Sequence, residues 1–199
     1  MKQLLIATNN HGKIEELRSL LARLPAAVLT PAEIGLSLAV VEDGATYAEN
    51  AGKKARSFAG ASGLASLADD TGLEVNALGG APGLFSKRYA GRPDATDADR
   101  RAHLLLNLRD IPRPWLAVFR ATIAVATPAG ELRFAEGTCQ GEVIPSERGS
   151  GGFGYDAIFM PAGAAKTIAE MTMVEKNLIS HRARAVRQAW RFLPDMLRD

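Results

Sequence analysis

Apolar residues along the chain follow two spacings, one typical of buried strands and the other of helices that pack on one face. Short continuous apolar runs at Leu4–Ala7 and Leu64–Ala68 predict strands that are buried on both faces. Longer runs at Trp115–Ala126 and Leu132–Val143, joined by a turn that contains proline and glycine, predict a hairpin. A shorter strand is predicted at Tyr155–Phe159.

Helices are predicted where a residue that can cap a helix is followed by apolar side chains at every third or fourth position. The first follows the polar turn Thr8–Lys13. Thr46, Thr96 and Thr172 are each followed three positions later by Glu or Asp, a pattern that predicts the starts of three more helices. We expect the last to run as one helix as far as Pro194. The order of elements is therefore mixed α/β.

The composition is that of an ordinary globular protein. Of its 199 residues, 47% are hydrophobic and 23% are charged. A chain of this length can bury a core without disulfide bonds or a structural metal. The net charge of +2 is too small to indicate a nucleic-acid partner. Cys139, the only cysteine, excludes an internal disulfide and favours a cytoplasmic location. No apolar stretch approaches the roughly 18 residues of a membrane span, so we expect no membrane partner.

The turn Thr8–Lys13 is the first candidate for chemistry. Between a buried strand and a helix, it presents backbone N–H groups and the positive end of the helix dipole, and Lys13 adds a point charge. Such a turn can hold a phosphate chain. The alternative is a capped helix with a surface lysine, and no Walker-type glycine–lysine loop is present.

A set of carboxylates near the second predicted strand is the next candidate. It comprises Glu42, Asp43, Asp69, Asp70 and Glu74. Hard oxygen ligands suit Mg²⁺, and the scattered histidines form no cluster for a softer metal. The alternative is that Asp69–Gly72 is simply a turn, since these residue types are common in turns.

Two segments nearer the C-terminal end are weaker candidates. Gly151–Asp156 places Phe153 and Tyr155 among glycines, where an aromatic ring could stack on a base, although a flexible loop has the same composition. Lys176 and Ser180–Arg182 put positive charge near a predicted helix N-terminus, where cations are unfavourable unless an anion joins them. A solvated basic face is the alternative.

Taken together, five segments in order resemble the inosine/xanthosine triphosphate pyrophosphatase family. They are Thr8–Lys13, Asp69–Leu73, Gly79–Gly83 with Ser86, Arg88 and Tyr89, Gly151–Asp156, and Glu175–Asn177 with Ser180–Arg182. The resemblance implies an α/β fold with an elongated mixed β-sheet and flanking helices. It also implies that residues 1–199 form a single catalytic domain with two lobes around a central active-site cleft, and that the chain is a homodimer.

The activity that this resemblance implies is Mg²⁺-dependent hydrolysis of ITP, dITP and XTP. Cleavage between the α and β phosphates gives the nucleoside monophosphate and pyrophosphate, and removes these non-standard purines from the nucleotide pool. Two other classes stay open. One is a non-catalytic nucleotide-binding module, which would not need the adjacent Asp69 and Asp70, and the other is a nucleotide pyrophosphatase with a different base preference.

The resemblance also assigns roles to individual residues. The triphosphate-holding turn is Thr8, Asn9, Asn10, His11, Gly12 and Lys13. Asp70 matches the catalytic, metal-binding aspartate, and Glu42 lies where a second metal ligand is expected, with Asp43 as its alternative. Further substrate contacts match Thr71, Phe153, Gly154, Tyr155, Asp156, Lys176, His181 and Arg182. Asn9 stands where many members have glycine and Thr71 where others have serine, and neither change removes a needed group.

Base selection and the general base follow from the same positions. The 6-oxo group of hypoxanthine and xanthine is an acceptor, whereas adenine carries an amino donor there, so His181 and Arg182 would lose partners against adenine. Phe153 would stack on any purine. Asp70 is expected to act as the base or only as a metal ligand, and Asp69 is a second candidate for the base.

Overall fold

The computed structural model describes residues 2–197 and shows helices flanking a six-stranded mixed sheet. The strands are β1 (Gln3–Ile6), β2 (Ala27–Leu29), β3 (Ser66–Val75), β4 (Trp115–Ala126), β5 (Leu132–Val143) and β6 (Phe159–Pro161), and their order in the sheet is β2-β1-β3-β4-β5-β6. β1 pairs in parallel with β2 and β3, and β5 pairs antiparallel with β6. The predicted α/β fold is confirmed, and β4 and β5 have the predicted bounds.

Residues 2–197 contain six α-helices, three of which begin directly after their predicted capping threonines. They are α1 (His11–Leu20), α2 (Tyr47–Ser62), α3 (Asp97–Leu108), α4 (Met173–Ile179), α5 (His181–Ala189) and α6 (Leu193–Met196). The side chains of Thr46, Thr96 and Thr172 each accept a hydrogen bond from the backbone N–H three residues on. No helix within residues 2–197 is long and apolar enough to cross a membrane.

The strand β3 is longer than the sequence predicts. The predicted strand ends at Ala68, with a turn at Asp69–Gly72 as the alternative to a functional site, but these residues continue the strand as far as Val75. Ion pairs satisfy the buried carboxylate of Asp69, so a residue type that favours turns lies within a strand.

Two predictions near the C-terminal end are wrong. The expected single helix after Thr172 is broken at Ser180, whose extended backbone (φ −64°, ψ 154°) separates α4 from α5. Serine is a residue type that competes for helical hydrogen bonds, and here it ends α4. The expected strand at Tyr155–Phe159 begins only at Phe159, because Asp156–Ile158 form a 3₁₀ turn closed by the bond from Ile158 N–H to Tyr155 O.

The described residues divide into two compact units, and each has its own apolar core. Unit 1 comprises residues 2–70, 121–137 and 182–197, and unit 2 comprises residues 71–120 and 138–181. In unit 1, β1 buries Leu4 and Ile6 in one cluster and Leu5 in another, the burial on both faces that its apolar run predicts. The cluster of unit 2 includes Leu73 and Phe119. A single catalytic domain with two lobes around a cleft stays a prediction.

Candidate active site

The turn after β1 is a capped helix start. The Asn10 side chain accepts a hydrogen bond from the Lys13 backbone N–H at 3.0 Å, and the Thr8 hydroxyl accepts one from the Asn10 N–H at 3.2 Å. Asn9 and His11 are exposed, and Gly12 is half-buried. The turn therefore has a fixed shape and leaves polar groups accessible to a ligand.

Lys13 is not the surface lysine of the alternative interpretation. Its side chain is 16% exposed and forms an ion pair with the carboxylate of Asp69. It also donates to the backbone oxygen of Asp69 at 3.3 Å. Burial lowers the pKa of Lys13, although the Asp69 charge opposes this effect. The charge of Lys13 is thus held inward, next to β3.

Asp69 is fully buried between two cations. Its second carboxylate oxygen accepts a hydrogen bond from Arg182 Nε at 2.8 Å, and Arg182 Nη1 pairs with the buried Glu16 of α1. Burial alone raises the pKa of Asp69, but the charges of Arg182 and Lys13 prevail and hold it well below its ordinary value. The network keeps Asp69 ionised.

Asp70, the next residue of β3, has a different environment. Lys54 Nζ lies 3.3 Å from Asp70 Oδ1 and 3.4 Å from Glu42 Oε1, and donates to the backbone oxygen of Asp69 at 2.8 Å. Burial raises the pKa of Asp70 above its ordinary value, despite the opposing charges of Lys54 and Lys13. Asp70 therefore takes up a proton more readily than Asp69.

The remaining carboxylates of the predicted set lie elsewhere. Asp43 forms an exposed ion pair with Lys53, and Glu74 accepts from Arg120 Nε at 2.8 Å in unit 2. Glu42 and Asp70, by contrast, contact the same ammonium group. Between the two adjacent candidates for a metal ligand, the contacts favour Glu42.

The oxygen donors of unit 1 fit a hard divalent cation. Glu42 and Asp70 converge on one cation position, now held by the Lys54 ammonium, and Mg²⁺ is commonly bound by one or two carboxylates with water and phosphate. Residues 2–197 contain no group of three or more Asp, Glu, His or Cys side chains placed to hold a metal.

The charged cluster comprises Lys13, Lys54 and Arg182 with Glu16, Glu42, Asp69 and Asp70. Since its carboxylates outnumber its cations, it cannot by itself neutralise a triphosphate.

In unit 2, the glycine-rich segment Gly151–Asp156 is held by the side chains of Asp156 and Lys176. One carboxylate oxygen of Asp156 accepts from the Phe153 N–H at 2.9 Å and from Lys176 Nζ at 2.6 Å. Lys176 Nζ also lies 5.2 Å from the centre of the Phe153 ring. Gly152 has a φ of +69°, and a Cβ there would lie 2.2 Å from Asp156 Oδ2. These contacts give the segment a defined conformation.

The two aromatic residues of this segment have different surroundings. Tyr155 is only 4% exposed, and its hydroxyl donates to the backbone oxygen of Ser86 at 2.8 Å. Burial raises the pKa of Tyr155 above its ordinary value. Phe153 is half-buried. Of the two rings, Phe153 is the one accessible for stacking on a base, and Tyr155 anchors the segment to the core.

His181 and Arg182 are adjacent in sequence but contact different groups. The His181 ring stacks on Phe119 at 4.6 Å in unit 2, whereas Arg182 joins the carboxylates of unit 1. Both are buried, as is Lys176, so the alternative of a solvated basic face is wrong. Thr71 is half-buried on β3. Contact of these residues with a nucleotide stays a prediction.

The sequence reasoning missed two residues of the charged cluster, Lys54 and Glu16. Lys54 lies on the apolar face of α2, three positions after Ala51 and four before Phe58. Glu16 lies three positions after Lys13 and directly before the buried Leu17. A charged residue within an apolar helical stripe is the signal that could have identified both.

The chain is similar to known proteins in both sequence and structure. The sequence profile of the Ham1 family matches residues 4–192. A protein named dITP/XTP pyrophosphatase from Desulforamulus reducens is 44% identical over 96% of this chain and 95% of its own length. One of the same name from Thermus thermophilus is 45% identical over 93% of this chain and 88% of its own. The structure of a HAM1 protein from Coxiella burnetii superposes with a TM-score of 0.86 at 37% identity, covering 98% of this chain and all of the other.

Proposed function

This chain belongs to the Ham1 family, and we propose that it hydrolyses ITP, dITP and XTP to the nucleoside monophosphate and pyrophosphate. The observation that carries the proposal is the pair of adjacent buried carboxylates on β3, each in contact with different cations. Asp69 is held ionised by Arg182 and Lys13, and Asp70 lies beside it with a raised pKa. A non-catalytic binding module would not need such a pair.

In the proposed reaction, water attacks the α phosphorus and the bond from that phosphorus to the α,β-bridging oxygen breaks. Asp70 accepts the proton of the attacking water, a role supported by its place on β3 beside Asp69, whose carboxylate is fully engaged with cations. Lys13 and the capped start of α1 hold the departing pyrophosphate. Lys54 supplies further positive charge beside Asp70.

Magnesium is the cofactor that this site would take, with Glu42 and Asp70 as its protein ligands. The ion would add the positive charge that the cluster lacks against a triphosphate and would acidify a bound water. Asp43, paired with Lys53, serves as a matched comparison. We expect Glu42→Gln to raise the Mg²⁺ concentration needed for half-maximal activity, and Asp43→Asn to leave it unchanged. An equal shift in the two variants would contradict the assignment to Glu42.

Recognition of the base is proposed for residues of unit 2. The half-buried Phe153, fixed by Asp156 and Lys176, is suited to stack on a purine. Donation from His181 and Arg182 to the 6-oxo group stays a prediction, because Arg182 Nε and Nη1 already bind Asp69 and Glu16. The homodimer and the cytoplasmic location expected from the sequence stay predictions, as does the role in cleansing the nucleotide pool.

The experiment that tests the proposal is to identify the products of ITP hydrolysis. The purified protein is incubated with ITP and Mg²⁺, and orthophosphate is measured with and without added inorganic pyrophosphatase. We expect IMP as the nucleotide product and orthophosphate only when pyrophosphatase is present. Direct release of orthophosphate with IDP would contradict the proposal and would indicate an ordinary triphosphatase.

A further inference from the structure

The N-terminal part of α3 contacts the glycine-rich segment of unit 2. Asp97 and Arg101 are four residues apart and therefore lie on the same side of this helix. Asp97 Oδ2 accepts a hydrogen bond from the Gly154 N–H at 2.7 Å, and Arg101 Nη1 donates to the Gly154 oxygen at 2.8 Å. One helix thus binds the two peptide groups on either side of a single residue.

These bonds fix the backbone at the centre of the segment. Gly154 has a φ of +62°, in the left-handed region that favours glycine. A Cβ on Gly154 would meet nothing within 4 Å, so glycine is needed here for its backbone conformation and not for space. The Gly154 N–H belongs to the peptide bond with Phe153, and the Gly154 oxygen belongs to the peptide bond with Tyr155. The two bonds therefore help set the direction of both rings.

Both helix residues are themselves held by charged partners. Arg101 Nε and Nη2 each donate to Glu147 at 2.9 Å, which leaves Nη1 directed at Gly154. Asp97 forms an ion pair with Arg100. Burial alone raises the pKa of Asp97, but the bonds from Arg100 and from the Gly154 N–H lower it below its ordinary value. Both bonds to Gly154 are therefore charge-assisted and pre-oriented.

We propose that Asp97 and Arg101 are positioning residues for nucleotide recognition, holding Phe153 where its ring stacks on the purine. This inference rests on the proposed function, in which Phe153 contacts the base. Neither residue needs to touch the substrate. The bonds from Asp97 and Arg101 to Gly154 are called the clamp below. Because base contacts are made in both the bound ground state and the transition state, weakening the clamp is expected to change KM more than kcat.

Variants at the two positions test the clamp through KM and kcat for ITP. Arg101→Ala removes the bond to the Gly154 oxygen, and we expect KM to rise about tenfold, the size associated with one charge-assisted hydrogen bond, with kcat changed by about twofold at most. Asp97→Ala is expected to behave similarly. Asp97→Asn keeps an oxygen acceptor for the Gly154 N–H and should restore most of the parent KM.

Glu147→Ala is the matched control, since it removes the ion pair of Arg101 and leaves the acceptor at Gly154 in place. We expect a smaller rise in KM than for Arg101→Ala. An equal rise in both variants, or an unchanged KM in Arg101→Ala, would overturn the proposal. Melting temperatures measured in parallel identify any variant that has lost its fold. If Arg101→Ala is such a variant, the difference in KM between Asp97→Asn and Asp97→Ala tests the proposal.

Amide hydrogen exchange tests the clamp without catalysis, and so separates its failure from failure of the proposed function. In Asp97→Ala we expect the amide of Gly154 to exchange about tenfold faster, with the amides of β4 unchanged. Unchanged exchange at Gly154 would overturn the proposal. If the parent protein releases no pyrophosphate from ITP, the proposed function fails, and the exchange rates still decide whether the clamp exists.

Discussion

The two units carry their predicted site residues in contrasting ways. In unit 1 the candidate side chains are charges buried against other charges, as in the series Glu16, Arg182, Asp69 and Lys13. In unit 2 the segment around Phe153 is held mainly by side chains bound to backbone groups, with glycines where a Cβ would clash or the backbone is left-handed. The first region depends on charge balance and the second on backbone geometry.

This difference predicts which substitutions each region tolerates. Removing one buried charge leaves its partner desolvated and unpaired, which is costly for the whole fold. Changing a loop that is bound at several points displaces a recognition group and alters binding before it alters stability. Substitutions of charge should therefore be most damaging in unit 1, and substitutions of shape in unit 2.

The largest expected effect on stability is that of Arg182→Met in unit 1. It keeps most of the side-chain volume but leaves Glu16 and Asp69 buried without their shared cation, so the free energy of unfolding should fall by roughly 3–5 kcal/mol. Arg18→Met is the control, because Arg18 makes a similar two-oxygen contact with Glu33 while 44% exposed. We expect a loss of about 1 kcal/mol or less there, measured by urea unfolding. Similar losses in both variants would contradict the contrast.

Asp70→Asn is expected to abolish most of the activity and leave the fold intact. The amide keeps the size of the side chain but can neither accept the proton of water nor contribute charge to a metal, so kcat should fall by roughly 10²-fold or more. Asp110→Asn, at an exposed ion pair with Arg109, provides the control. Near-normal turnover of ITP by Asp70→Asn would show that Asp70 has no catalytic role.

Gly152→Ala tests the geometric sensitivity of unit 2. Its new Cβ would lie 2.2 Å from the carboxylate of Asp156, which binds Phe153 and Lys176. We expect kcat/KM for ITP to fall by about ten- to a hundredfold, since small displacements of a recognition group have effects of this size. Gly163→Ala has a similar φ of +78° but no atom within 4 Å of its Cβ. It should lose comparable backbone stability and no activity, and equal activity in the two variants would refute the role of the clash.

The smallest expected effect concerns the pH dependence of stability in the metal-free protein. The lowered pKa of Asp69 stabilises the fold above about pH 4, and that contribution is lost as the pH falls through its folded value. The raised pKa of Asp70 has the opposite effect on the stability of the fold, which it lowers at neutral pH. In EDTA, Asp70→Asn should therefore raise the free energy of unfolding at pH 7 by about 0.5–2 kcal/mol, with no gain near pH 3. A loss of stability of Asp70→Asn at pH 7 would contradict the assignment of a raised pKa to Asp70.

Elements set by local sequence were predicted closely. The apolar run of β1, the capping residues of α2 and α3, and both strands of the β4–β5 hairpin need only near neighbours in sequence to be recognised. The short strand β2 was missed, since its three residues are only partly buried and too few to show a period.

Features that depend on distant partners were not predicted. The extension of β3 through Asp69 depends on cations 56 and 113 positions away in sequence. The buried roles of Glu16 and Lys54 likewise depend on partners brought near by the fold. Resemblance to a family identified Asp70 and the glycine-rich segment, but not the contacts of α3 with Gly154, which involve residues outside the matched segments.

The measurement that tests the central claim most directly is a comparison of kcat/KM for ITP, XTP, dITP and ATP with Mg²⁺, with pyrophosphate as the detected product. In the proposed function, donors to the 6-oxo group are left unpaired by the amino group of adenine, and such sites discriminate by up to about 10⁴-fold, whereas an apolar pocket reaches about 10²-fold. We predict that ITP, XTP and dITP are each hydrolysed at least about 10²-fold more efficiently than ATP. Equal efficiency on ITP and ATP would contradict the account.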